Sequence, residues 1–199
     1  MKVGIISGMA PVAAHVRLAE FGGDGDDTAL CRTLMREYAA HLNASVGGEH
    51  ICVDSLEAEL AALPGPYASP EGAVLLAYAN DEPSGCVALK PVHLGEKRVG
   101  AGTHASGARG SERLCEMKRL WVRPGHQGLG MGRLLADSVI ALARERGYAA
   151  MVLDTMPRTM PAAYALYRAM GFVPVERYND NPTLRRIDAS EIAWLRKEL

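Results

Sequence analysis

The chain has 199 residues, 48% of them hydrophobic and 23% charged, a balance that supports a buried core and excludes disordered or collagen-like chains. Lys and Arg total 22 against 23 for Asp and Glu, so the net charge of −1 lacks the basic excess of a phosphate-backbone binder, and no nucleic-acid partner is expected. Cys31, Cys52, Cys86 and Cys115 are scattered with no C-x-x-C pair, which argues against a zinc ribbon or a disulfide-stapled scaffold.

The histidines show neither H-E-x-x-H nor H-x-H spacing, so no metal site is expected. No apolar run reaches the ~18 to 20 residues of a membrane span, and no membrane partner is expected. Residues 1–14 faintly imitate a signal peptide but carry one charge together with Gly4, Gly8 and Pro11, so the default is a cytoplasmic protein. The sequence divides into a loose N-terminal extension, 1–15, and a single domain, 16–199.

Val16 to Ala19 predicts a short strand. Leu30, Cys31, Leu34, Met35, Tyr38 and Leu42 recur at helical spacing after the capping carboxylates of 24–27. Asp54 to Leu63 reads as a shorter helix stopped by Pro64-Gly65-Pro66. Ala73 to Ala79 and Gly85 to Val92 form an expected hairpin around the turn-rich 80–84. Residues 93–113 hold five glycines and the cations Lys97, Arg98, Arg109 and Arg113 without periodicity. They read as a long mobile loop, either a disordered insertion with no role or a cover over the acceptor side.

Leu114 to Val122 predicts a strand, and a helix starts near Leu129 with Met131, Leu134, Leu135, Val139 and Leu142 on one face until Gly147. Ala150 to Leu153 is the next strand. Pro161 suits the first turn of a helix burying Ala163, Leu166, Tyr167 and Met170 before Gly171. Strand resumes at Phe172 to Val175 and again at Leu184 to Ile187. A terminal helix is expected from Asp188 and Glu191, spaced as a capping box ahead of Ile192, Leu195 and Leu199. The order is that of one mixed α/β layer structure.

The strand-to-helix joint Gln127-Gly128-Leu129-Gly130-Met131-Gly132-Arg133 carries the strongest chemical signal. Glycines there let backbone N–H groups approach a ligand, and the helix start adds positive dipole, which together make a pyrophosphate cradle. A P-loop needs Lys followed by Ser or Thr after the last glycine, and a dinucleotide fingerprint needs a small residue where Arg133 stands. Neither fits.

The Gln-x-x-Gly-x-Gly pattern of Gln127, Gly130 and Gly132 resembles the acyl-CoA loop of the GNAT N-acyltransferase superfamily. Cys115 to Pro124 looks like that family's fourth strand, and Ala165 to Phe172, with Leu166-Tyr167 before Gly171-Phe172, is similar to its second signature. With Leu153 to Thr155 and Tyr178 to Pro182, the resemblance covers roughly residues 72–182. It implies a mixed central sheet with splayed strands four and five, flanked by helices. It also implies transfer of an acetyl group from acetyl-CoA, as cosubstrate and without metal, to an amine in a ternary complex.

In that fold the pantetheine bonds to strand-four backbone, here near Leu120 and Val122, and the phosphates meet residues 127–133. The family's usual acid for the leaving thiolate aligns with Tyr167, with Tyr164 as a weaker understudy. Glu116 is the first candidate base, against the alternative of an ion pair with Lys118 or Arg119. Asp154, Tyr178 and Asn181 are candidates for acceptor binding, whereas His126, Trp121 and Met117 read as turn, core or wall residues. The expected terminal helix departs from the family, in which a last strand closes the sheet. The reading is an acetyltransferase of a small-molecule amine. Its alternatives are a non-catalytic CoA-binding regulatory domain and a protein or peptide N-acetyltransferase. A homodimer is left open.

Overall fold

The computed structural model describes residues 15–23, 25–45, 53–92, 112–179 and 187–199. Among the described residues, seven strands form one sheet in the order β1-β2-β3-β4-β5-β7-β6: β1 (Val16–Glu20), β2 (Ala73–Ala79), β3 (Glu82–Val92), β4 (Leu114–Val122), β5 (Ala150–Thr155), β6 (Val173–Pro174) and β7 (Ala193–Glu198). Four α-helices among the described residues flank it: α1 (Gly25–Ser45), α2 (Val53–Ala61), α3 (Met131–Glu145) and α4 (Pro161–Ala169). None of the helices among the described residues is long and apolar enough to cross a membrane.

Strand alternation sends side chains to two cores. On one face Val87, Leu89, Cys115 and Met117 meet Leu135, Val139 and Ile140 of α3 and Tyr167 of α4. On the other, Val74, Leu76, Cys86 and Trp121 meet Cys31, Leu34 and Met35 of α1 and Leu56 and Leu60 of α2. A smaller cluster of Leu42, Met156 and Ile192 closes the far end.

The β2–β3 hairpin is tighter than the sequence suggests. Asn80 and Asp81 both take positive φ, 51° and 65°, so two residues make the turn and β3 begins at Glu82. Gly147 and Gly171 end α3 and α4 as expected, at φ 75° and 87°, where a side chain would be strained.

The expected terminal helix is corrected to a short turn and a strand. Asp188 Oδ1 accepts from Ser190 N at 2.9 Å, but caps only the single 3₁₀ turn Ala189–Glu191. Residues 193–198 then pair antiparallel with β5 and β6. Ile192, Leu195 and Leu199 fit helical spacing, yet strand alternation also buries Leu195. The partner β5 decides, because a strand at this place satisfies its edge backbone groups. The expected departure from a closing strand therefore disappears. Residues 1–14, 93–111 and 180–186 lie outside the described residues, and with them fall the N-terminal extension, most of the proposed cover, Asn181 and most of the expected 184–187 strand.

Candidate active site

Two features of β4 open a gap in the middle of the sheet. Its parallel pairing with β5 covers only Leu114↔Ala150, Cys115↔Met151 and Glu116↔Val152, after which the two strands separate. Its antiparallel pairing with β3 shifts register between Cys86↔Trp121 and Ala88↔Lys118, so Arg119 and Leu120 together oppose Val87. This is a β-bulge, and within it Arg119 holds a left-handed φ of 57°. The bulge turns Lys118 and Arg119 toward the α1 and α2 side, while Leu120 packs against the α3 core.

A cavity lies beyond the end of β4–β5 pairing. Met117, Lys118, Arg119 and Leu120 line it from β4, Asp154 and Met156 from the end of β5, and Tyr167 from α4; Tyr38 and Leu42 of α1 form another wall. Tyr167 is 8% exposed, and its ring meets Phe172 edge-on with centroids 5.9 Å apart. Burial, with smaller contributions from Tyr38 and Asp154, pushes its phenol above the ordinary value, so it stays protonated.

Glu116 lies beside this cavity and is 1% exposed. Its Oε2 meets Lys90 Nζ at 2.9 Å, and its Oε1 meets Lys118 Nζ at 3.4 Å. The Tyr178 hydroxyl donates to Oε1 at 2.8 Å, and Asn179 Nδ2 donates to it at 3.3 Å and to Asp154 Oδ2 at 3.2 Å. Lys118 also approaches Asp154 Oδ2 at 3.7 Å. Burial works to raise the Glu116 pKa, but the Lys118 and Lys90 ammonium groups and the bonds from Lys90 and Tyr178 outweigh it and hold the carboxyl well below the usual range. Burial works against the Lys118 charge, and Asp154 and Glu116 overcome it, so its pKa is raised. Tyr178 is pushed far up, first by burial and then by Glu116 and Asp154, which keeps it a donor.

Of the acceptor candidates, Asp154 lines the cavity, and Tyr178 turns its hydroxyl onto Glu116 rather than leaving it free. The sequence reading foresaw a Glu116 pair with Lys118 but missed Lys90 and Asn179, and its alternative partner Arg119 is paired elsewhere. Lys90 is directly opposite Glu116 in the β3–β4 register, so the pair was hidden only by ignorance of the register. Trp121 is 6% exposed in the α1-side core, which settles core over wall for it, and its Nε1 donates to Glu37 Oε2 at 3.2 Å.

The glycine joint is built differently. Gly128 and Gly130 take φ of 76° and 81°, and a Cβ at either would meet nothing within 4 Å. Gly130 is the N-cap of α3 and offers no side-chain cap, and no acidic residue occupies the first turn. Leu134 N makes the first intrahelical bond, to Gly130 O at 3.0 Å, which leaves the preceding N–H groups aimed outward. Gln127 turns inward and donates through Nε2 to Val122 O at 2.8 Å, and Arg133 pairs with Asp137 at 2.9 Å. Leu129 is 57% exposed and Met131 is buried. The joint is thus an open surface of backbone donors with positive helix dipole, suited to an anion. A Cβ on Gly132 would lie 3.8 Å from both Val122 of β4 and Leu166 of α4, so this surface adjoins the open end of the β4 gap.

The sequence model of the acetyltransferase (GNAT) family matches residues 30–172. An uncharacterised N-acetyltransferase of Schizosaccharomyces pombe is 32% identical over 177 residues, 87% of this chain and 91% of that one. The acetyltransferase of Streptococcus agalactiae superposes with a TM-score of 0.63 at 15% identity, over 92% of this chain and 98% of that one. The PaiA N-acetyltransferase of Thermoplasma acidophilum, solved in complex with coenzyme A, gives 0.63 at 14% identity, over 92% and 99%. The splayed strands, the glycine joint and these matches together make the chain a member of the GNAT acetyltransferase family and an acyltransferase.

Proposed function

We propose that this protein moves an acetyl group from acetyl-CoA to the amine of a small molecule by direct attack in a ternary complex. The observation that carries the reading is the end of β4–β5 pairing, with the cavity containing Tyr167 beyond it and the uncapped N-terminus of α3 beside Val122 of β4. The donors of residues 128–133 suit a pyrophosphate, and the absence of first-turn acid there removes a repulsion that would otherwise oppose it. The backbone of Leu120 and Val122 is assigned to the pantetheine arm. Bound acetyl-CoA would supply an acyl group already activated as a thioester.

The chain's own residues then have two tasks. As the amine nitrogen bonds to the acyl carbon and the carbon–sulfur bond breaks, the Tyr167 hydroxyl gives its proton to the departing sulfur. The reaction nitrogen's surplus proton leaves by way of water and Asp154, and the phenol is reprotonated. Asp154 lines the cavity and attracts the acceptor's ammonium. Glu116 is given a holding role in place of the base, because a carboxylate that already accepts from two ammonium groups, Tyr178 and Asn179 has little affinity left for another proton. It fixes Lys118, and it fixes Tyr178 at the acceptor side. An α-amine with a pKa near 8 would need no strong base, whereas a lysine-like amine near 10.4 would be under ~1% free at neutral pH.

The test is a panel of small amines incubated with acetyl-CoA while free thiol is followed. Acceptor-dependent thiol release, with acetylated product by mass, is the expected result. Acetyl-CoA binding without transfer to any amine would return the protein to the regulatory reading, and transfer confined to peptides would overturn the small-molecule class.

A further inference from the structure

Arg119 stands where a side chain is disfavoured. Its φ of 57° lies in the left-handed region, which a bulky residue keeps only if its surroundings hold it there. The surroundings are specific. Arg119 Nε and Nη2 donate to the two carboxylate oxygens of Glu59 on α2, at 3.0 and 2.8 Å. The two side chains are 9% and 17% exposed. Tyr67 OH donates to Glu59 Oε1 at 2.7 Å. The guanidinium also lies over the Tyr38 ring, 5.7 Å from its centroid, and the Arg119 carbonyl accepts from Cys86 Sγ at 3.5 Å. Burial works against the Arg119 charge, but the Glu59 bonds and charge raise its pKa above the ordinary value.

A buried ion pair adds little net stability over apolar residues of the same volume. What a two-pronged guanidinium–carboxylate pair does supply is direction, because both bonds form only in one relative orientation. That orientation is imposed on the bulge residue next to Leu120, at the point where β4 faces the gap. It also draws the Arg119 cation toward α2, leaving Lys118 as the cation between Glu116 and Asp154.

We propose that Glu59 is a positioning residue for the transfer reaction: through Arg119 it locks the β4 bulge and thereby sets the backbone at Leu120 against which the thioester is held. This rests on the acetyl-CoA reading given above. Glu59 touches no reacting atom in this scheme and belongs to a helix outside the glycine joint, so its effect is transmitted through Arg119, by the geometry of the bulge and the placing of its cation.

The experiment compares the full chain with E59D and E59Q, each assayed well below its own Tm. E59D keeps the charge pair but shortens the arm by one methylene, which tests geometry rather than charge. Because misplacement on the order of 1 Å near reacting atoms costs up to ~10²-fold, kcat/KM for acetyl-CoA should fall about tenfold in E59D and further in E59Q. The acceptor KM should stay within about twofold. Backbone amides of 118–122 should exchange hydrogen faster in both variants, a readout that needs no turnover. In an R119Q background, E59D should cause no additional loss, since the pin is already gone.

If E59Q does not fold, E59D carries the same comparison. An E59D variant with kcat/KM for acetyl-CoA within about twofold of the parent, whatever its Tm, reduces Glu59 to a structural role and overturns the proposal. Unchanged amide exchange at 118–122 overturns it as well. A parent protein that neither binds acetyl-CoA nor transfers acetyl overturns the underlying reading and this one together, whereas an active parent with an equally active E59D overturns this one alone.

Discussion

The glycine joint before α3 and the polar cluster around Glu116 are neighbours built on opposite plans. At the joint, side chains withdraw: Gln127 bonds Val122 O, Arg133 pairs with Asp137, and Gly128 and Gly130 contribute none, so the surface is backbone. In the cluster, Lys90, Glu116, Lys118, Asp154, Tyr178 and Asn179 come from β3, β4, β5 and the segment after β6, and side chains bond one another, with only Asn179 Oδ1 left buried without a partner among the described residues. Backbone recognition tolerates variation in most side chains around it and reads a group common to many ligands. A buried side-chain network fixes one geometry and fails when one member is removed. The first plan suits a cosubstrate handle and the second suits the choice of acceptor.

Removing one member of the network is the most damaging way to break this contrast. Glu116→Gln leaves the Lys90 and Lys118 ammonium groups short of a countercharge, and should cost about 3 kcal/mol. The value is at the low end because the Lys90 side chain is 31% exposed and can reach water. Thermal unfolding should fall by roughly 6 to 12 °C. The Glu116 carboxyl is lowered in the folded protein, to about 2, so its contribution is present above the unfolded value near 4.3 and is lost as pH falls toward 2. The gap in stability between parent and variant should therefore close over that window, as acid unfolding monitored by circular dichroism would show. The acid limb of kcat/KM should stay where it is; a limb moved upward in the parent relative to the variant, or the reverse, would restore Glu116 as the base.

Tyr167→Phe sharpens the contrast at the cavity, where a single hydroxyl is asked to act. A general acid is worth about 10²- to 10⁴-fold, so kcat should drop at least a hundredfold, with acetyl-CoA affinity within about twofold of the parent. Steady-state kinetics with a calorimetric Kd decide it. Equal losses in kcat and affinity would make Tyr167 a wall of the binding site.

At the joint, Gly130→Asp should weaken acetyl-CoA binding by about tenfold or more, because it sets a negative charge against the phosphates at the helix start. Asp is among the few residues that tolerate positive φ, and the site has room for its Cβ. The protein should remain folded while the ligand-induced rise in Tm shrinks. An undiminished rise would remove the cradle. The smallest effect belongs to Arg133→Ala, which should reduce acetyl-CoA affinity by less than about threefold, since its guanidinium is exposed and already paired with Asp137. A loss beyond about tenfold would mean that Arg133 leaves Asp137 for a phosphate, and that this joint does recruit a side chain.

The two regions also differ in how far they were legible before the fold was known. The glycine joint, the strand ahead of it and the α3 face are local patterns, in which each residue's conformation depends on near neighbours in the chain. Glycines at 128 and 130, an apolar repeat from Met131 and a glycine at 147 therefore suffice to locate them. Tyr167 was reached from a similarly local pattern, the spacing of residues 163–172 together with the family resemblance. The cluster was only half visible: Glu116 and Lys118 are two residues apart, but Lys90 and Asn179 meet them only through strand register and chain return.

Residues 188–199 make the same point from the opposite side. Their capping box and apolar spacing favour a helix locally, and the unfilled edge of β5 turns them into β7. By itself the sequence determined the elements whose hydrogen bonds close within a few residues, and with them the open start of α3. Tertiary structure alone decided where β4 leaves β5, the positive φ at Arg119, the Glu59 pin and the partners of Glu116. Those features depend on contacts between residues distant in the chain, and on backbone groups and charges that must find partners once they leave water.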